Sequence, residues 1–238
     1  MKTNFSYQKL KRNPVDLNVL VFSLKPWDGR SQLGVQIEEL MMPSSGRDRR
    51  ERATGLVYDG EYLLPECQYA VFCFSLRAAF AGKDESTEYA LSIHSSEAFF
   101  AETPTIPSHF IAKALLRYVA KVGTVTMEHN DFTIYRAKHL GDSYIFLVEN
   151  HGNRWICVSI DASNSTGFFS LLRKTLKTSD QIPPRTRQIV QIFTPSNDTN
   201  VVNKLSTMLN VTGTRKMESD WNPPVPENCK LFCASETI

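Results

Sequence analysis

The sequence predicts a mainly β protein, an antiparallel β-sandwich followed by a second β-rich α+β module. Three observations carry this: short apolar runs of strand length recur along the chain, a single amphipathic helix interrupts them, and the strand–helix–strand rhythm of a parallel sheet is absent. The 238 residues are 42% hydrophobic, enough for one large β-rich domain or two smaller ones, each with a real core.

Residues 17–24 open the first half as an apolar strand. In residues 33–40, Leu33, Val35 and Ile37 alternate with Gly34, Gln36 and Glu38, the period of a strand with one wet face. Residues 43–52 mix charge signs behind a Ser/Gly start and read as an exposed loop. Residues 53–58 and 62–64 are short strands about a turn at Asp59-Gly60. The aromatic, β-branched run 69–76 is the most strand-like of this half, and residues 88–94 return with Tyr89, Leu91 and Ile93 on one face. Pro104 and Pro107 then break the pattern. Beyond them Phe110, Ala114, Leu115, Tyr118, Val119 and Val122 recur at helical spacing, with Ser108 as cap, Gly123 as stop, and Lys113, Arg117 and Lys121 as a wet stripe.

The second half offers strands at residues 124–127, 132–136, 144–149 and 155–160. Asn150, His151, Gly152 and Asn153 read as the turn of a hairpin joining the last two, because Asn and Gly tolerate left-handed geometry. In the last strand Trp155, Cys157 and Ser159 face one way and Ile156, Val158 and Ile160 the other. Residues 188–193 form a further strand. Residues 201–209 read as a short helix with Val202, Leu205, Met208 and Leu209 inward. Three divisions follow: 15–105, 106–210, and an extended tail 211–238 that packs weakly.

Composition narrows function. With 27 basic against 25 acidic residues the formal charge is only +2, so no long-range field points to nucleic acid or an anionic bilayer. No stretch is apolar enough to span a membrane, and the first residues lack the apolar core of a secretion signal; the expectation is a cytoplasmic protein. Cys67, Cys73, Cys157, Cys229 and Cys233 form an odd, sparse set, read as reduced thiols. None has the context that activates a nucleophile: Cys67 precedes no helix start, and Cys73 and Cys157 lie within strands. The spacing of Cys229 and Cys233 suits no zinc knuckle, and His94, His109, His129, His139 and His151 form no H-E-x-x-H set. Asp84, Glu85 and Glu88 are a candidate calcium site at a loop rim, but no D-x-D-x-D-G series accompanies them. Solvated charge is the favoured reading, and no cofactor is expected.

Several strings together resemble a known family. D-G-E-Y-L-L-P-E-C-Q-Y-A-V-F-C-F from Asp59 and Y-A-L-S-I-H-S-S from Tyr89 are similar to the C2-like sandwich that follows the protease core of the calpain cysteine proteases. D-F-T-I-Y from Asp131, L-V-E-N-H from Leu147, V-S-I-D-A-S-N-S from Val158, T-S-D-Q-I-P-P-R-T-R-Q from Thr178 and S-D-W-N-P-P from Ser219 resemble the distinctive C-terminal region of the small-optic-lobes type. The resemblance covers residues 15–224. It implies a C2-like first module and a non-catalytic second one, because the family's Q-G-x-C-W, G-H-A-Y and N-P-W-G strings do not occur here. The Asn-Pro pairs at Asn13 and Asn222 have no Trp-Gly after them, and the subfamily's zinc-finger repeats are missing.

The function expected from this resemblance is a regulatory or protein-interaction region that docks against a calpain-type protease core. The alternative is part of a calcium-dependent cysteine endopeptidase whose catalytic core lies outside the chain. The resemblance also implies weak phospholipid binding at the loop of residues 47–52, by arginines that Asp48 and Glu51 offset. The partner surface is expected at residues 161–165 and 180–187, with Asp161, Asn164, Asp180, Arg185 and Arg187 as its candidates. There the stiff Pro183-Pro184 pair presents Arg185 and Arg187 at low ordering cost. The competing reading makes Asp161, Ser163, Asn164 and Asp180 turn-closing residues and leaves both arginines solvated; under the binding reading, Arg187→Ala leaves the melting point alone.

Overall fold

The computed structural model describes residues 17–26, 35–46, 68–74, 98, 100–103, 109–140, 143–196, 202–214, 221–225 and 235–238. They form a mainly β fold of antiparallel sheets with one α-helix. The first sheet holds β1 (Leu17–Pro26), β2 (Val35–Gly46) and β3 (Gln68–Phe74) in the order β2-β1-β3. The strand β2 runs through residues 43–46, where a loop was expected, because its ladder with β1 continues to the Leu17↔Gly46 rung. The strands expected at 53–58, 62–64 and 88–94, the basic loop 47–52 and the acidic triplet Asp84, Glu85 and Glu88 lie outside the described residues.

Helix α1 (His109–Val122) follows the expected period. Phe110, Ala114, Leu115, Tyr118 and Val119 are buried together with Ala112 and Leu116, while Lys113 and Lys121 stay exposed. Gly123 ends it: its N–H donates to the Val119 carbonyl at 2.8 Å, and a Cβ at this position would collide with that same oxygen. No larger residue closes the helix in this conformation without a shift.

The remaining strands are β4 (Thr124–His129), β5 (Phe132–Leu140), β6 (Ser143–Asn150), β7 (Trp155–Asp161), β8 (Phe168–Ser170), β9 (Lys177–Ile182), β10 (Thr186–Pro195), β11 (Met208–Thr214), β12 (Trp221–Asn222) and β13 (Ser235–Thr237). One sheet runs β13-β10-β6-β5-β4, with β8 also on β10, and another runs β11-β7-β9-β12. The larger sheet is apolar on both faces. One face gives Ala137, Ile145, Leu147, Ile189 and Ile192 to a core shared with α1 and with Phe22 and Phe72 of the first sheet. There the Phe22 and Phe72 rings meet edge to face at 5.6 Å, and Phe72 lies 5.3 Å from Phe110. The other face sets Ile134, Phe146, Val148, Val190 and Phe193 against Ile156, Val158, Ile160 and Ile182 of the smaller sheet. Each such side chain stabilises the fold by about 2 kcal/mol when fully buried. The alternation expected in β7 holds, with Ile156, Val158 and Ile160 inward.

Three further expectations are overturned. Residues 150–153 do not form a hairpin: β6 belongs to the larger sheet and β7 to the smaller. Both edges of β6 are already taken, by β5 and β10, so β7 has no edge to join. The chain instead crosses between sheets, and the His151 and Gly152 N–H groups donate to the Asp131 carbonyl at 2.7 and 3.0 Å. Over residues 202–209 the chain is extended, not helical. It is pinned by reciprocal backbone bonds between Thr166 and Lys204 at 2.9 and 3.0 Å and then enters β11, which pairs with β7. The apolar spacing fitted a helix, but sheet pairing wins and turns Val202 and Met208 outward while Leu205 and Leu209 pack inward. The segment expected as a loosely packed tail supplies most of β11 and all of β12 and β13, each paired in a sheet.

Candidate interaction site

The structure does not gather the five candidate residues into one surface. Asp161 ends β7, where its Oδ1 accepts the Ser163 N–H at 3.0 Å and its Oδ2 lies 3.4 Å from Lys177 Nζ. The Ser163 backbone bond leads the causes that hold its carboxyl below the ordinary range. Asn164 is exposed in the turn that follows. Arg185 sits at the far end of the β7–β9 ladder, exposed, with left-handed φ of 54° and its Nε donating to Asn153 Oδ1 at 3.2 Å. Asp161 and Asn164 therefore act as turn residues, remote from both arginines.

Asp180 is neither a turn residue nor a surface one. It lies inside β9, with its side chain fully buried against the equally buried Arg173. The guanidinium and carboxylate meet through two bonds, Nη1 to Oδ1 and Nη2 to Oδ2, the latter at 2.6 Å. Arg173 Nη2 also donates to the Val190 carbonyl at 2.7 Å, and its backbone N–H donates to Ser170 Oγ at 3.1 Å. The Trp221 ring, 4.5 Å away, covers the guanidinium, and the Asn222 N–H approaches Asp180 Oδ1 at 3.4 Å. Burial pushes the Asp180 carboxyl up to about 6, against the opposing pull of Arg173 and the Asn222 N–H. Arg173 was invisible in the sequence, where a basic residue after two leucines reads as solvated charge.

Arg187 lies in a row of charges across the larger sheet. The ladder places Glu236, Arg187, Glu149 and Thr133 on successive strands β13, β10, β6 and β5. Arg187 Nε and Nη2 donate to Glu236 Oε2 at 3.0 and 2.5 Å, and Nη1 lies 3.6 Å from Glu149 Oε1. Arg117 of α1 reaches the other oxygen of Glu236 at 3.2 Å. Tyr135 donates its hydroxyl to Glu149 at 3.2 Å; burial, and then the Glu149 charge, raise that phenol's pKa. His151 Nε2 completes the row, 3.2 Å from Thr133 Oγ1 and 3.8 Å from Glu149. The sequence pointed to Arg187 and missed Arg117, Glu149 and Glu236 as its companions.

Asn150 is a turn residue, as expected, its Oδ1 accepting the Gly152 N–H at 3.0 Å, and it is a buried donor as well. Its Nδ2 lies 2.8, 3.1 and 2.9 Å from the carbonyls of Arg154, Ile182 and Pro183, tying the crossover to the strand end before the prolines. Cys157 Sγ contacts Ser179 Oγ at 3.1 Å, and Ser179 contacts Ser159 at 3.0 Å, on the outer face of the smaller sheet. Among the described residues no group of three or more His, Cys, Asp and Glu side chains converges on a metal-sized site.

Residues 118–217 match the family described as Calpain-D-like, C-terminal domain. No solved structure matches the chain. The matched segment contains the crossover at Asn150, the Arg173–Asp180 pair and Arg187 with Glu149. Over these residues the chain is similar to the C-terminal domain of calpain-D-like proteins.

Proposed function

We propose that this chain is a regulatory, protein-interaction region that docks against a calpain-type protease core outside these residues and positions a substrate or partner beside it. The match over residues 118–217 carries the reading. Supporting it, the functional groups of that segment are spent on internal bonds: the guanidinium of Arg173 on Asp180 and Val190, the amide of Asn150 on backbone carbonyls, and the thiol of Cys157 beside a serine hydroxyl. Such a scaffold holds a shape rather than a reacting group. In this organisation residues 15–105 belong to a C2-like sandwich and residues 106–210 to the second module, with the paired strands beyond residue 210 joined to it.

Titration calorimetry with a separately produced calpain-D-like protease core tests the proposal. Saturable binding, with a changed rate of fluorogenic peptide cleavage by that core, is the expected result; neither heat nor rate change sinks it. The chain alone is expected to leave the same peptide intact with or without calcium.

A further inference from the structure

We propose that the outer edge of β10 is a docking site for an extended peptide of a partner protein bearing a carboxylate side chain, and that Ser235–Thr237 occupies it as an exchangeable internal stand-in. The inference gives a surface to the interaction role proposed above, and only the partner's origin rests on that reading.

The attachment of β13 has the chemistry of strand addition. It pairs with β10 over three rungs, Thr186↔Thr237, Arg187↔Glu236 and Gln188↔Ser235, and the Ile238 N–H adds a bond to the Arg185 carbonyl at 2.9 Å. Ser235 and Thr237 are exposed polar residues, and Ile238 keeps 44% of its surface in solvent, so the strand contributes no buried apolar anchor. What remains is main-chain pairing plus one recognised side chain, the division of labour by which edge strands accept peptides. The recognised side chain is Glu236, whose two oxygens are divided between Arg117 and Arg187.

The receiving side is built without β13. Arg187 is held from behind by Glu149, which in turn accepts the Tyr135 hydroxyl, so its guanidinium stays aimed at the edge when the strand leaves. Arg117 stands on a different element, the rigid helix α1, with its side chain 41% exposed. Two guanidiniums against one facing carboxylate of the sheet leave a net positive charge there, which a neutral or basic strand does not neutralise. An acidic residue centred on a short extended segment does.

The test uses the full chain carrying Glu236→Arg, which sets like charge against both arginines and releases the strand. The probe is a fluorescent, amidated peptide Ala-Ser-Glu-Thr-Ile, read by anisotropy. The variant is expected to bind it at least about tenfold more tightly than the unaltered protein, and replacing the peptide's Glu by Gln to weaken binding by about tenfold or more. Adding Arg117→Gln to the variant, at a more exposed position than Arg187, is expected to weaken it as well. Equal binding of the Glu and Gln peptides overturns the proposal, as does Glu236→Arg protein whose amides at residues 186–188 keep their hydrogen-exchange protection. A concentration-dependent dimer of the unaltered protein that Glu236→Gln abolishes would assign the edge to a second copy instead and equally overturn it. No protease core enters this assay, so its failure leaves the core-binding experiment to decide the broader function on its own.

Discussion

Removing the Asp180 carboxylate should be among the most damaging single changes in this protein. Asp180→Ala leaves the Arg173 guanidinium inside the fold, fully buried, with the Val190 carbonyl and the Trp221 ring as its remaining company. An unpaired charge in that position costs about 3–5 kcal/mol. For a chain of this size each kcal/mol moves the melting point by about 2–4 °C, so a fall of roughly 6–20 °C is expected. Replacing both partners with apolar residues, Arg173→Met with Asp180→Leu, removes the stranded charge and should return stability to within about 2 kcal/mol of the starting protein. Urea unfolding followed by circular dichroism at pH 7.5 gives all four corners of this cycle. A loss under about 1 kcal/mol for Asp180→Ala, or a double variant no more stable than that single one, would refute the buried pair as described. The same residue gives a pH signature of fixed sign. Its folded pKa of about 6 lies above the ordinary 3.8, so the native state keeps a proton that the unfolded chain releases. This group's contribution is therefore fully present below about pH 4 and lost as pH rises through 6. Relative to Asp180→Asn, the unaltered protein should lose stability across that window; a flat or rising difference contradicts the shift.

Asn150→Asp should be worse than Asn150→Ala, because it sets a carboxylate against the carbonyls of Arg154, Ile182 and Pro183; the alanine is expected to cost about 1–3 kcal/mol in urea melts and the aspartate more. Arg187→Ala strips the shared partner from Glu149 and Glu236, whose side chains are 12% and 26% exposed, and should cost about 1–2 kcal/mol, unlike the unchanged melting point expected when this arginine is read as a pure binding residue. Gly123→Ala places a Cβ on the Val119 carbonyl oxygen and is expected to destabilise by about 1–3 kcal/mol, measured by the shift in thermal midpoint.

Periodicity reported α1 and β7 because each obeys a local rule of burial. The strand β9 obeys none. Its Lys-Thr-Ser-Asp-Gln-Ile sequence puts a carboxylate on the inward face, which is tolerable only because Arg173 is there to meet it. Nothing within β9 announces that partner. The crossover at Asn150 misled for the same reason: an Asn-His-Gly-Asn turn is compatible with a hairpin, and only the occupancy of both edges of β6 forbids one. Residues 202–209 had apolar positions that suit two periods, and a strand partner decided between them. At the candidate site Arg187 was legible as a charge near a rigid turn, while its partner Glu236 lies 49 residues away and could be found only through the sheet register. The strings that carried the resemblance include Asn150, Asp180 and Trp221, the residues that bury polar groups in pairs.

The bond between Arg117 and Glu236 spans 119 positions of sequence, and both residues fall outside the segment 118–217, Arg117 directly before it and Glu236 well beyond its end. Trp221, which covers Arg173, also falls outside, and so does most of α1. A fragment trimmed to the borders of the family match would therefore open an electrostatic seam on each side: Arg187 would keep Glu149 but lose Glu236, and Arg173 would lose its aromatic lid. Among the described residues, a piece that keeps these partners together with the whole of α1 runs from His109 through Ile238, longer at both ends than the segment 118–217.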